Sequence, residues 1–156
     1  MSDLIEIAGT DVANVTRENI LNLETAIKNL PDSIGEQEAL ETLNDHVFAP
    51  GVYARVMTLP AGMTVVGKIH KYAHICLITH GTVKIVSEFD SGVYSAPRVW
   101  ISEPGVKRTL HALSDFQMVN ILPNPSDTQD LDEIEAKVIA KNYKDLDEFL
   151  NNNGDS

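Results

Sequence analysis

The pattern of apolar and polar positions along the chain changes twice and divides it into three parts. In the middle part, residues 51–122, short runs rich in β-branched and aromatic residues, such as VYARVMTL and TVKIVSEF, are separated by turn signals such as PAG, DSG and EPG. Eight such runs occur, with a turn about every eight to twelve residues. This pattern predicts an all-β core, either a sandwich or a jelly-roll barrel.

Helical spacing marks the segments on either side of the strand region. The first apolar stripe predicts an amphipathic helix between Thr16, a suitable N-cap, and Pro31, and it consists of Ile20, Leu23, Ile27 and Leu30. The polar stretch over 32–50 contains Gly and Pro and reads as a connector. A second helical pattern follows PNPSDTQ, where SDTQ can form a capping box, and consists of Leu131, Ile134, Val138, Tyr143, Leu146 and Phe149.

These patterns predict four parts within a single domain. They are an N-terminal helical arm and connector over 1–50, a β-barrel over 51–123, a C-terminal helical segment over 124–150 and a disordered tail over 151–156.

Composition and charge narrow the set of partners. With 12 basic and 23 acidic residues, the formal net charge is −11, which repels phosphate backbones and anionic membranes. We therefore expect no nucleic-acid or membrane partner. The start of the chain is acidic and no apolar run reaches membrane-spanning length, so a cytoplasmic, unsecreted protein is expected. The single cysteine, Cys76, lies in an apolar run and is predicted to pack in the core.

The candidate chemistry lies in the stretch GKIHKYAHICLITHG, residues 67–81. His70, Tyr72, His74 and Cys76 share a parity, so a regular strand would place them on one face. His70 and His74 then come close enough to share one ion or one ligand, whereas His80 falls at the hairpin turn THG. Two imidazoles make a candidate metal site, because zinc, iron and nickel bind imidazole well, but a third donor must come from elsewhere.

The same stretch resembles the first motif of the cupin superfamily, and ISEPGVKRTLHAL resembles the second. The match is closer to small cupin-like proteins encoded by bacteriophages, which have similar runs of GVYAR, PAG, GKIHK, PG.KR and DLDEIE. The resemblance covers roughly residues 46–140. It implies a cupin-type double-stranded β-helix (jelly-roll barrel) with flanking N- and C-terminal α-helices, and a host-cell cytoplasmic location for a phage protein.

The residues depart from the cupin ligand pattern. His70 stands where the second histidine is expected and His74 where the glutamate is expected, while Lys68 replaces the first histidine. Arg108 stands at the histidine position of the second motif, and His111 follows three residues later, on the opposite face of a regular strand. Cations near the pocket disfavour a divalent ion and favour an anionic ligand or a carboxylate partner.

Three functions remain open at this stage. In a metal-dependent enzyme, His70, His74 and His111 would hold one divalent transition metal, Fe, Zn, Mn or Ni. A non-catalytic binding protein would hold a small polar or anionic molecule in the barrel, and its predicted ligand-binding residues are Arg55, Tyr72, Arg108 and His46. A structural or host-interaction protein would use the barrel as a scaffold. The expected assembly is a homodimer, by analogy with barrels that pair through sheet faces or exchanged arms. Hydrolase and dinucleotide-binding motifs do not occur.

Overall fold

Two antiparallel sheets form the walls of the barrel in the computed structural model, which describes residues 17–30 and 42–153. The strands are β1 (Asn44–Ala49), β2 (Gly51–Leu59), β3 (Thr64–Val66), β4 (Ile69–His70), β5 (His74–His80), β6 (Thr82–Val86), β7 (Ser91–Ser95), β8 (Arg98–Ser102), β9 (Thr109–Ala112), β10 (Phe116–Asn124) and β11 (Ile139–Ala140). The five-stranded sheet has the order β1-β2-β10-β5-β8, and the four-stranded sheet has the order β3-β9-β6-β7. A two-stranded sheet pairs β4 with β11.

The main apolar core fills one half of the space between the two large sheets. Alternate residues of each strand point into it, as the pleat of a β-strand requires. The buried members from both sheets are Leu59, Ile78, Val83, Ile85, Leu110, Ala112, Phe116 and Met118. The predicted fold class, an all-β jelly-roll core with flanking helices, is therefore confirmed.

The turn between β5 and β6 depends on a glycine. Gly81 has a φ of +81°, and a Cβ atom there would lie 2.0 Å from the carbonyl oxygen of Asp115. A side chain would therefore clash with backbone as well as strain the turn. His80, the residue before it, is exposed, as its predicted position at the turn implies.

Helix α1 (Arg17–Lys28) packs on the outside of the four-stranded sheet. Its buried residues are Ile20, Leu23 and Ile27, which are the predicted apolar stripe. Leu23 and Ile27 pack with Val66, and Ile20 packs with Val86. The predicted N-cap Thr16 and the helix stop Pro31 lie outside the described residues.

The C-terminal segment consists of α2 (Leu131–Val138), β11 and α3 (Tyr143–Asn153). Asp130 caps α2 by accepting hydrogen bonds from the backbone N–H groups of Asp132 and Glu133, so the cap is not the predicted capping box at SDTQ. Ile139 and Ala140 of β11 pair with His70 and Ile69 of β4. Because of this pairing, the C-terminal segment lies directly on the strand that carries His70.

The predicted division of the chain into segments differs from the structure in three places. Residues 44–49 of the predicted connector form β1 and complete the five-stranded sheet, while residues 31–41 lie outside the described residues. The predicted helical segment over 124–150 is interrupted by β11. Residues 151–153 continue α3, whereas 154–156 of the predicted tail are outside the described residues. No helix in the described part of the chain is long and apolar enough to cross a membrane.

Candidate functional site

A row of polar and aromatic side chains crosses the inner face of the five-stranded sheet. The strand register aligns one residue from each strand, in the order His46, Arg55, Asn120, Cys76 and Trp100. The row shares its face with buried core residues such as Ile78 and Met118, because these stand two positions away along the same strands. One half of the barrel interior is therefore polar and the other half is apolar.

Cys76 is a buried member of this row, as predicted for a core cysteine. Its thiol donates to the Oδ1 atom of Asn120 at 3.2 Å. Burial raises the pKa of Cys76 to about 11, so the thiolate that nucleophilic chemistry needs is not formed at neutral pH.

His70 and His74 are adjacent in the interior, as the sequence predicts. Their ring centroids are 4.1 Å apart and the rings are tilted by 30°. The Nδ1–H group of His74 donates to the carbonyl of Tyr72 at 3.4 Å, whereas Nδ1 of His70 is buried without a hydrogen-bond partner. Burial lowers the pKa of both imidazoles, and for His70 the positive charges around it lower the pKa further, to well below its ordinary value. Both rings are therefore neutral at pH 7.

A carboxylate from outside the barrel pairs with two of the interior cations. Glu135 of α2 accepts from Arg55 at 2.5 Å through Oε1 and from Lys68 at 2.7 Å through Oε2. Burial works against ionisation of Glu135, but the charge of Arg55 and the hydrogen bond from Lys68 outweigh it, so the pKa is below its ordinary value. Arg55 also donates from Nε to Tyr53, whose hydroxyl lies 2.6 Å from Nδ1 of His46. One hydrogen-bonded network thus runs from α2 to the sheet edge.

Sequence reasoning did not single out Glu135. By sequence alone, the acids of DLDEIE fit the N-terminus of a helix, where the macrodipole favours negative charge. A usable signal was present, because Glu135 stands four residues after Leu131 and beside the buried Ile134, at the edge of the apolar stripe. An acidic residue at such a position needs a buried partner.

Arg108 is an interior cation with no carboxylate partner within residues 17–30 and 42–153. Its guanidinium donates to the hydroxyl of Ser102 at 2.7 Å and lies 6.0 Å from the centroid of the Trp100 ring. No carboxylate of the described residues is within ion-pair distance of it. Burial lowers the pKa of Arg108, and the positive charge in turn contributes to the low pKa of His74.

A cavity of about 430 Å³ opens beside Arg108, between the two large sheets. Trp100 and Tyr94 supply aromatic walls, and the guanidinium of Arg98 stacks 4.1 Å above the Tyr94 ring. Asp90 and Glu103 also line this cavity, and both are exposed. The cavity therefore has a guanidinium group and aromatic rings on its inner side and two solvent-exposed carboxylates at its outer side.

Among the other predicted site residues, His46 and Arg55 join the interior row, but two residues lie elsewhere. His111 pairs in register with Thr64 and Lys84, and its Nδ1 is 2.6 Å from the Thr64 hydroxyl. Because its neighbours Leu110 and Ala112 point into the core, His111 lies on the opposite face of its sheet and is not brought to His70 and His74.

Tyr72 is exposed, and its ring contacts the Phe149 ring edge-on with the ring centroids 5.2 Å apart.

The donor set does not fit the predicted metal centre. In the described ranges 17–30 and 42–153, no group of three or more histidine, cysteine, aspartate or glutamate side chains is arranged to hold an ion. Nδ1 of His74 is directed to the carbonyl of Tyr72, so this nitrogen is not offered to an ion beside His70. Both oxygens of Glu135 are already paired with Arg55 and Lys68, whose charges would repel a divalent ion.

Comparison with known proteins gives resemblance of fold only. No protein-family model matches the sequence, and no curated protein is significantly similar to it. Similar solved structures include a cupin superfamily protein from Desulfitobacterium hafniense, with 14% identity, covering 52% of this chain and 75% of that one at a TM-score of 0.45. A cupin-2 domain protein from Shewanella frigidimarina has 13% identity, with 58% and 94% covered and a TM-score of 0.42. KdgF from Halomonas sp. has 13% identity, with 56% and 79% covered and a TM-score of 0.46. The proteins that this chain resembles in structure are thus cupins.

Proposed function

We propose that the protein binds a small anionic molecule, such as a carboxylate or a phosphate ester, inside its barrel, with Arg108 as the main anchor. One observation carries the proposal. The guanidinium of Arg108 is partly buried, lines a cavity of about 430 Å³ and has no carboxylate partner among the described residues. A buried cation without a counter-charge is costly, and an anionic ligand would remove that cost.

The surroundings of Arg108 suit an anion. Three interior cations, Arg55, Lys68 and Arg108, are matched by one buried carboxylate, Glu135, within the part of the chain that the structure describes. Arginine offers five N–H donors in a planar fork, and one hydrogen bond to Ser102 leaves others for a carboxylate or phosphate. Trp100 and Tyr94 can pack against the body of the ligand.

Binding without catalysis is the form of this function that the residues favour. The Cys76 thiol has a raised pKa and the carboxylate of Glu135 is held in ion pairs. The thiol is therefore not a reactive nucleophile and the carboxylate is not a free base, although covalent catalysis needs the one and acid–base catalysis through a carboxylate needs the other. For a phage protein, such a barrel would take up a small anionic metabolite of the host cell.

The test is calorimetric titration of inorganic phosphate and of citrate into the wild-type protein and Arg108→Gln. Loss of a charge-assisted hydrogen bond, about 1.5–3 kcal/mol, predicts a Kd for the bound anion at least about 10-fold higher in the variant. Arg17→Gln is the matched control, because Arg17 is exposed on α1 and pairs with Asp147. Equal affinity in Arg108→Gln and wild type, or no binding of either anion, would reject the proposal.

A metal assay separates this function from the metal-dependent one. Elemental analysis by mass spectrometry would be made on protein purified without an affinity tag or chelator. We expect no stoichiometric transition metal, because no described residue supplies a third donor to the imidazole pair. A near-stoichiometric metal that is lost in both His70→Ala and His74→Ala would instead establish the metal centre predicted from the histidine spacing.

We also propose that two copies pair through the outer face of the five-stranded sheet. The strand register places two adjacent rows on this face. One consists of Val47, Ala54, Ile121, Ile75 and Ile101, and the other begins with Asp45 on the edge strand β1 and continues with Val56, Val119, Leu77 and Val99. Ile75, Val99 and Ile101 are exposed. A face without charge in its centre can pair with itself around a twofold axis, because no like charges then meet.

The alternative function is a scaffold that contacts a host protein. The same outer face of the five-stranded sheet would then bind a different chain, and the barrel interior would hold no ligand. A purified protein that is monomeric at micromolar concentration and binds neither phosphate nor citrate would favour this alternative.

A further inference from the structure

A second cavity, of about 630 Å³, lies between α2 and the barrel. It is lined by Ile134 and Val138 of α2 and by Leu122 and Pro123 at the end of β10, beside the place where the helix packs on the strand. It shares no lining residue with the cavity beside Arg108. The two cavities are therefore separate sites.

Two polar side chains of this second cavity are hydrogen-bonded within the protein, whereas one buried nitrogen atom is not. The Asn124 side-chain amide donates to the carbonyl of Thr128 at 2.9 Å. Lys137 is held by Glu133 and by Ser126, each at 3.1 Å. His70, which is 8% exposed, also lines the cavity, and its Nδ1 atom has no hydrogen-bond partner. A buried polar atom without a hydrogen-bond partner is costly, so a ligand that hydrogen-bonds to this imidazole would be favoured.

The lining selects the chemistry of that ligand. Lys137 is the charged group of the lining, and it already has a carboxylate partner, so an ionic ligand finds no free counter-charge there. The walls are mainly aliphatic and proline side chains, which suit a ring or a compact apolar body. A neutral imidazole presents one N–H and one lone pair, and a hydroxyl group can bond to either.

We propose that this cavity binds a neutral, apolar, ring-sized molecule that carries one hydroxyl group, and that the hydroxyl bonds to the imidazole of His70. The site is independent of the anion site at Arg108. Since α2 forms one wall of the cavity, the ligand would be held between the C-terminal segment and the barrel.

The probes are 1-naphthol and naphthalene, which differ by the hydroxyl group alone. Fluorescence titration of the wild-type protein is expected to show saturable binding of both, with 1-naphthol tighter by a factor of about 3 to 10 for one neutral hydrogen bond. In His70→Phe, which keeps an aromatic ring, this preference should disappear. Arg108→Gln should leave the binding of 1-naphthol unchanged, so failure of the anion site does not affect this test.

A cavity-filling variant gives a second line of evidence that does not depend on a core substitution. Ala73 is exposed at the cavity, and Ala73→Trp is expected to weaken both probes at least about 10-fold by filling the space. Ala61→Trp, at an exposed turn outside the cavity, is the matched control and should bind as wild type. Absence of saturable binding, equal affinity for the two probes in the wild type, or unchanged binding in Ala73→Trp would overturn the proposal.

Discussion

Arg108 stands where the cupin resemblance places a histidine, and this single difference changes what the barrel interior attracts. An imidazole there would add a third donor beside His70 and His74. A guanidinium adds a permanent positive charge, which contributes to the low pKa of both rings. This charge disfavours a metal cation in the interior and favours the anionic ligand that we propose.

The buried imidazoles make stability depend on pH in a direction that can be worked out. Burial lowers the pKa of His70 in the folded protein below its unfolded value of about 6.5. Below that pH the unfolded chain takes up a proton that the folded chain does not, so stability is full above it and is lost on acidification. We expect the free energy of unfolding to fall by about 1–2 kcal/mol through this group between pH 7.5 and 5.

Urea unfolding of His70→Phe at both pH values checks this expectation. The variant should lose less stability between pH 7.5 and 5 than the wild type. His80→Phe makes the same substitution at an exposed turn and should keep the wild-type pH dependence. A pH dependence in His70→Phe as steep as that of the wild type would contradict the assignment.

Helix α2 is the element that completes the polar half of the barrel. Its apolar side packs on Tyr53 and Leu122 through Ile134 and Val138. Glu135 stands beside these residues and brings the negative charge that Arg55 needs. Packing and charge pairing thus hold the same helix against the same surface.

Glu135→Gln removes that charge while keeping the size of the side chain. Because Arg55 is buried and would lose its counter-ion, we expect the free energy of unfolding to fall by about 2–4 kcal/mol. Hydrogen exchange should also become faster in α2 and β11. The matched control is Glu133→Gln on the same helix, since Glu133 is exposed and pairs with the exposed Lys137. An effect of Glu133→Gln as large as that of Glu135→Gln would contradict the role of the buried pair.

Sequence patterns predict the elements whose burial is periodic and miss those defined by their partners. The stripe of α1 and the alternation within β2 and β5 are visible because each buries one face. In contrast, the polar sequence around β1 predicts a connector. None of its residues over Asn44–Ala49 is fully buried, and the strand is defined by its pairing with β2 at the sheet edge. The two-residue β11 has no period, and only its pairing with β4 makes it a strand.

The same distinction applies to the candidate site, where contacts set by spacing within one stretch can be predicted and contacts between distant segments cannot. The pairing of His70 with His74 was predictable because it depends on parity along one stretch of chain. The position of His111 also follows from parity, because an odd offset from Arg108 places it on the opposite face. Glu135 was not predictable as a partner of Arg55, because the two are separated by 80 residues in sequence.

At the scale of the whole molecule, the proposed homodimer depends on the exposed apolar face of the five-stranded sheet. Val99→Asp places a charge in an apolar row of this face, on the edge strand β8, where burial in a symmetric interface would be costly and like charges would meet. We expect the homodimer to dissociate, with sedimentation velocity showing monomers at micromolar concentration. Val93→Asp is the matched control, because Val93 is equally exposed but lies on β7 of the other sheet. A wild-type monomer, or a dimer that survives Val99→Asp, would exclude this interface.

The cationic interior is enclosed by a protein whose formal net charge is −11. An approaching anion would first meet repulsion from the outer acids and only then the attraction of Arg108. Salt screens charges at the surface more strongly than charges that are partly buried. Moderate salt should therefore speed up association of an anion while changing the dissociation rate little, which is opposite to the usual effect of salt when ligand and protein carry opposite net charges. The outer charge would thus act as a kinetic barrier around a binding site of opposite sign.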